Sequence, residues 1–232
     1  MRDPVFPGFE FPLAREAALL VIDMQPCGVA ADAGLIRAIE AGRPGYTQYL
    51  VDRVRDIVIP NLRRLAAAFR SRGRPVYFTA FASAAGDGSD ILTATIRVRD
   101  RQRRAATGAS VVLPRSHPAT DIVPELGPGP GDVVLTKTSM DAFASTPLAG
   151  DLRARAVRSL VVGGVLTDAC VESSARHAAE LGFEVTVVED ACAAWRPEFH
   201  LRSLESLGRY FARIATTDEV LAEFSRLESS SG

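Results

Sequence analysis

Lysine is nearly missing from this chain: of its 27 basic residues, all are arginine except Lys137. Cysteine is scarce as well. Cys27, Cys170 and Cys192 cannot all pair, and none sits in a CxxC or near a histidine at metal-ligand spacing, so neither a disulfide scaffold nor a metal site is indicated. Net charge is also lacking. With 27 basic against 28 acidic side chains the formal charge is -1, which removes the basic surplus that nucleic acid would require of a partner. Apolar runs such as Ala17 to Ile22 and Val161 to Leu166 fall far short of the ~18 residues of a membrane span, so no membrane association is expected. Met1 to Phe11 carries charges and three aromatics in place of a basic start and an apolar stretch. Export is therefore not expected, and the chain reads as cytoplasmic.

What is present is enough for one core. At 232 residues and 47% hydrophobic, a single domain over residues 1–232 is expected, since the length barely suffices for two. Apolar runs of strand length recur at about Ala17 to Met24, Pro75 to Ala80, Asp132 to Lys137, Ser159 to Gly164, Glu184 to Glu189 and Ala212 to Thr216. Helical stretches separate them, which is the pattern of βαβ units and of an α/β fold with a parallel sheet covered on both faces. A helix from about Thr47 to Arg72 carries Leu50, Val54, Ile57, Val58, Asn61, Leu62, Leu65 and Phe69 on one stripe, with Pro60 expected to kink or split it. Others are expected from Asp168 or Ala169 to Leu181, ended by Gly182, from Glu198 to Tyr210, and from Asp218 to Leu227 with Thr217 as cap. The tail, Ser229 to Gly232, is expected to be disordered. Ala84 to Pro130, rich in glycine and arginine, fits the sheet least and reads as an excursion able to cover a site.

In an open α/β sheet, ligands bind beyond the carboxyl ends of the strands. Asp23, Lys137 and Cys170 all fall at or just after such ends, so an acid, an amine and a thiol can meet in one cleft. Each has a plainer reading by itself: an Asp at a strand end caps turns, a Lys there is solvated, and a small Cys early in a helix is core, as Cys192 is taken to be. Their joint occurrence is what points to chemistry. A helix N-terminus and a neighbouring ammonium would both favour the thiolate of Cys170, and Asp23 could take up its proton and return it to a leaving nitrogen. The product of such a step is a cysteine acyl-enzyme.

Three ordered stretches, Ala18-Leu19-Leu20-Val21-Ile22-Asp23-Met24-Gln25, Val134-Leu135-Thr136-Lys137 with Phe143 and Thr146 downstream, and Gly164-Val165-Leu166-Thr167-Asp168-Ala169-Cys170-Val171-Glu172-Ser173 followed by Val188-Glu189-Asp190-Ala191-Cys192, resemble the isochorismatase-like cysteine hydrolase family. The resemblance runs from about Ala17 to Phe224. It implies a three-layer α/β/α fold on a six-stranded parallel sheet of order 3-2-1-4-5-6, with Asp23, Lys137 and Cys170 as a triad that hydrolyses C–N bonds of amides and ureides. It further implies a cis Val165–Leu166 peptide, with the Leu166 and Cys170 amides as an oxyanion hole, and a homo-oligomer, commonly a dimer or tetramer. By position beside the triad, Gln25, Cys27, Phe81, Met140, Phe143, Leu166 and Thr167 are candidate substrate contacts.

The chain also departs from its relatives. After Gln25 it reads Pro26-Cys27-Gly28-Val29, without the aromatic that walls the pocket in many members. The nicotinamidase Asp-x-His motif is missing from Phe78-Thr79-Ala80-Phe81-Ala82-Ser83, so no metal and no cofactor is expected. Isochorismatases proper, which cleave a vinyl ether, often lack the cysteine, so Cys170 favours amide or ureide substrates over that alternative. A dinucleotide site at Gly163-Gly164 lacks the G-x-G-x-x-G spacing. A redox role through a Cys27–Cys170 disulfide needs the two thiols within reach. Arg97 to Arg104 can either bind a substrate carboxylate or form a solvated helix face, and Trp195 is a candidate for an interface between copies.

Overall fold

Each residue of Ala17–Ile22 is buried, yet alternate side chains go to different cores: Leu19 and Val21 to one, Leu20 and Ile22 to the other. Such a strand must be covered on both faces, which is the condition for a parallel sheet. The computed structural model describes Phe9 and residues 11–229 and contains that sheet. Its strands, β1 (Ala17–Ile22), β2 (Val76–Phe81), β3 (Val133–Lys137), β4 (Ser159–Val165), β5 (Glu184–Ala193) and β6 (Arg213–Ala215), run parallel in the order β3-β2-β1-β4-β5-β6. The order expected from the resemblance is found. Between β1 and β2 lie α1 (Pro26–Val29), α2 (Gly34–Gly42), α3 (Gln48–Arg53) and α4 (Ile59–Arg70). α5 (Ala94–Thr107) lies between β2 and β3, α6 (Leu148–Ala154) between β3 and β4, α7 (Glu172–Glu180) between β4 and β5, and α8 (Pro197–Tyr210) between β5 and β6. α9 (Thr217–Ser229) follows β6.

One core joins β1 to Leu62, Leu65 and Phe69 of α4 and Phe224 of α9, with the Phe69 and Phe224 rings edge to face at 4.9 Å. The other joins β1 to Leu152 of α6, Ala175 of α7 and Leu207 of α8. No helix among the described residues is long and apolar enough to cross a membrane. Expectations for the residues before Phe9 and after Ser229 lie outside the described residues.

Three details differ from the sequence reading. The helix around Pro60 is not broken: a π turn, Val54–Val58, joins α3 to α4 and places the proline in the first turn of α4. A proline lacks the N–H that an α turn needs and its ring crowds the carbonyl four residues back, and the wider turn relieves both. It also rotates Ile57 off the apolar stripe, leaving it exposed. β5 runs past Glu189 to Ala193 through a register shift against β4. There Arg53 donates to the carbonyls of Glu189 and Cys192, both at 2.9 Å, and Asn61 donates to that of Asp190 at 2.9 Å, supplying partners from the α3–α4 helix. Thr217 does not cap α9. Its hydroxyl donates to Asp190, and Thr216 and Glu219 form a reciprocal capping box instead.

The excursion after β2 is tied down at several points. Ser83 bridges Pro114, Asp90 accepts from the Ser83 hydroxyl and the Ala84 amide, and the Leu92 amide donates to the Thr138 carbonyl beyond β3. Asp100 of α5 accepts from the Ser110 hydroxyl and the Val111 amide.

Gly164 shows how tightly β4 meets β1. Its φ is +120°, and a Cβ there would stand 2.1 Å from the Ile22 carbonyl oxygen. Gly164→Ala should destabilise the fold by more than about 3 kcal/mol. Gly150→Ala in α6, where a Cβ meets nothing within 4 Å, should instead be neutral or stabilising by up to about 1 kcal/mol. Denaturant unfolding of the two variants checks the contrast.

Candidate active site

β1, β2 and β3 are neighbours, so the ends of β1 and β3 lie two strand spacings apart, roughly 10 Å. Lys137, the last residue of β3, has a side chain long enough to close most of that gap, and it is fully buried. Its Nζ stands 2.8 Å from Asp23 Oδ2 and 3.3 Å from Cys170 Sγ, and donates to the carbonyls of Ser139 at 2.8 Å and Met140 at 3.2 Å. The Phe81 ring centroid lies 4.9 Å from it. The three residues that the sequence picked out are thus brought together around one ammonium.

Asp23 follows β1 with φ of +52°, a left-handed conformation that Asp tolerates better than most residues. Thr79 of β2 holds it there. The Asp23 amide donates to the Thr79 carbonyl at 3.1 Å, and the Thr79 hydroxyl donates to Asp23 Oδ1 at 2.7 Å, leaving Oδ2 for the lysine. Cys170 lies in a π turn, Thr167–Val171, that leads from β4 into α7. α8 grips this turn: Ser203 donates to the Thr167 carbonyl at 3.0 Å, and the Thr167 hydroxyl is 2.8 Å from His200 Nδ1. Burial and the nearby Arg53 push the His200 pKa down to about 4, so the ring is neutral near pH 7. The peptide bond between Val165 and Leu166 is cis.

The electrostatics differ from the sequence expectation in one respect. Burial alone would lower the Lys137 pKa, but the Asp23 carboxylate and Cys170 beside it carry it above its ordinary value, so the ammonium is retained. Burial raises the Cys170 thiol, Lys137 opposes that rise and Asp23 reinforces it, for a net value of about 12. The resting group is therefore a thiol, whereas helix end and lysine suggested a thiolate. One buried cation cannot support two anions, and Asp23 already claims it. Cys27 and Cys192 are likewise pushed up to about 12, chiefly by burial.

Above the trio opens a cavity of about 370 Å³. Larger surface grooves, such as that between Pro12 and Arg226, contain no comparable cluster. Cys27, Phe81, Met140 and Leu166 line the cavity as expected from position. Gln25 lines it too, but its amide is committed to backbone, donating to the carbonyls of Phe81 and Thr120 and accepting from the Phe81 amide. Phe143 and Thr167 are not among the lining residues. Phe143 packs in the core near Phe183 and His177, because its loop turns it toward α7, and Thr167 is fully buried against His200. Sequence reasoning missed Leu35, Ile96, Val111 and Asp168 as wall residues. Trp195 also lines the cavity, with the Tyr46 ring 6.3 Å away. As the chain's one tryptophan, just beyond β5, it could have been found from sequence, but nothing in Leu35 or Val111 distinguishes them from core. Among the described residues no three His, Cys, Asp or Glu side chains are grouped to hold a metal ion.

Fold and site define a class. A model of the isochorismatase domain matches residues 17–219, and the chain belongs to the isochorismatase family of hydrolases. The uncharacterized isochorismatase family protein YecD of Escherichia coli O157:H7 is 32% identical over 211 residues, spanning 90% of this chain and 96% of that one. Ureidoacrylate amidohydrolase RutB of Pseudomonas syringae is 28% identical over 218 residues, 90% of this chain and 84% of its own. A crystal structure of a cysteine hydrolase from Pseudomonas syringae pv. phaseolicola superposes with a TM-score of 0.76 over 95% of this chain and 98% of that chain, at 24% identity, which shows the shared fold.

If Asp23 holds the Cys170 thiol protonated, removing its charge must lower the thiol pKa, because Lys137 is then free to stabilise the thiolate. Asp23→Asn should alkylate with iodoacetamide at Cys170 at least about tenfold faster than the unmodified protein at pH 8, while hydrolysis is lost. Peptide mass spectrometry over time reads the rates.

Proposed function

We propose that this protein is a cysteine hydrolase that cleaves the C–N bond of a small amide or ureide through an acyl-enzyme on Cys170. The observation that carries the reading is the contact of the one lysine with both Asp23 and Cys170, at 2.8 and 3.3 Å, beside a cavity of small-molecule size. As the thiol sulfur attacks the carbonyl carbon, its proton passes to Asp23, and Lys137 exchanges a carboxylate partner for developing charge on sulfur. The carbonyl oxygen, becoming an oxyanion, is received by the Leu166 and Cys170 amides. Collapse expels the amine, which takes the proton from Asp23. Water then attacks the thioester, with Asp23 again as base. Collapse breaks the C–S bond and releases the carboxylic or carbamic acid, and the departing Cys170 sulfur takes the proton back from Asp23, restoring thiol and carboxylate.

A thiol with its own base requires neither metal nor cofactor. Similarity to ureidoacrylate amidohydrolase RutB, at 28% identity, supports the choice of amide or ureide chemistry. The vinyl-ether alternative leaves Cys170 without a role. The Cys27–Cys170 redox alternative is disfavoured by two thiols held near pKa 12, since the reactive form in oxidation is the thiolate. In this reading α5 and its flanking loops act as a lid, and the enzyme works as a homo-oligomer in the cytoplasm on small molecules, with neither nucleic acid nor membrane as partner.

An ammonia-release screen over amides and ureides tests the proposal. Cys170→Ala should abolish release from the best substrate while leaving the fold intact, and dialysis against EDTA should leave the rate unchanged. Retained turnover in Cys170→Ala would refute the thiol mechanism. Lys137→Arg should fold yet lose at least ~100-fold in kcat, because a guanidinium is larger, spreads its donors in a plane and cannot fit the site of a compact ammonium. Near-normal turnover in that variant would show the lysine to be incidental.

A further inference from the structure

The five arginines between 97 and 104 separate by face. Arg97, Arg101 and Arg104 line an outer groove, where Arg97 donates to the Leu92 carbonyl at 3.1 Å and Arg104 to the Ser110 hydroxyl at 3.1 Å. Ile96, Arg99 and Arg103, spaced by three and four residues along α5, line the cavity that holds Asp23 and Cys170. Arg99 has no hydrogen-bond or ion-pair partner among the described residues. Arg103 lies 3.8 Å from Asp100, too far for a good hydrogen bond, while Asp100 is already satisfied by Ser110 and Val111. Asp100 itself also lines the cavity, buried and held by Ser110 and Val111 with Arg104 3.5 Å away. The other cavity charges are Asp23, neutralised by Lys137, and Asp168, which has no cationic partner among the described residues.

We propose that Arg99, assisted by Arg103, binds a carboxylate of the substrate, so that the site prefers small amide or ureide acids over neutral amides. The preference rests on the hydrolytic reading above and narrows it. A guanidinium suits the role because its fork of donors matches a carboxylate, and both arginines come from one helix, which fixes their spacing. Asp168 complements them as an acceptor for the N–H groups of a ureide or amide. A substrate with an acid at one end and N–H donors at the other would thus meet an unpaired charge of the right sign at each.

Two isosteric pairs test this: N-carbamoylglycine against isobutylurea, and succinamate against 4-methylpentanamide. Ammonia release by the unmodified enzyme and calorimetric binding to Cys170→Ala are measured for each member. The acids should be favoured by about tenfold or more at low ionic strength, with the ratio shrinking in high salt. Arg99→Gln should reduce that ratio about tenfold, through KM of the acids, and leave kcat/KM of the neutral members unchanged. Arg101→Gln, on the outer face of the same helix, should change neither. Equal treatment of acid and neutral members, an unchanged ratio in Arg99→Gln, or an equal loss in Arg101→Gln would overturn the proposal. Tight, Arg99-dependent binding of the acids to Cys170→Ala without ammonia release from any pair would overturn the hydrolytic reading and leave the carboxylate site standing.

Discussion

A charge held away from water organises this molecule. The Lys137 ammonium is fully buried, and it survives there because a carboxylate and two backbone carbonyls stand within hydrogen-bond reach. Removing any one of these would leave a cation whose desolvation is uncompensated, which is costly in a folded interior. The requirement fixes the ends of β1 and β3 relative to one another, with Thr79 of the intervening β2 orienting the acid. The carbonyls of Ser139 and Met140 come from the lysine's own chain, two and three residues on. The loop after β3 is folded back on the charge it must solvate.

The same arrangement keeps the charge of the trio constant through the proposed cycle. At rest, and again as the thioester once the amine has taken the proton, it holds one carboxylate, one ammonium and a neutral sulfur; after proton transfer it holds a carboxylic acid, one ammonium and a thiolate or the anionic adduct built on it. Neither state adds net charge to a low-dielectric site, so the move requires little rearrangement of the surroundings. A thiol raised to about 12 is compatible with this cycle, since transfer to a neighbouring base replaces release of a proton to water.

Much of the fold was legible because buried parallel strands leave continuous apolar runs, and the site because acid, amine and thiol are rare at strand ends. The sole lysine among arginines was the strongest signal. Three kinds of feature escaped. The extension of β5 to Ala193 depends on Arg53 and Asn61, which are distant in sequence from the carbonyls they bind. Phe143 and Thr167 were misplaced because nearness along the chain to Lys137 or Cys170 does not say which way a side chain turns. The protonation of Cys170 was misjudged because a helix end and a lysine can be counted from sequence, whereas burial and the prior claim of Asp23 cannot.

The bridge between Ser83 and Pro114 closes the chain on itself just outside the sheet. Everything between these two residues, α5 included, is a loop whose ends are already fixed. Lengthening such a loop costs only about 0.6 kcal/mol for each doubling. Descendants of one ancestral sheet can therefore exchange this stretch for shorter or longer ones with little penalty in stability, and diversify what they accept while the strands that carry the acid, amine and thiol stay as they are.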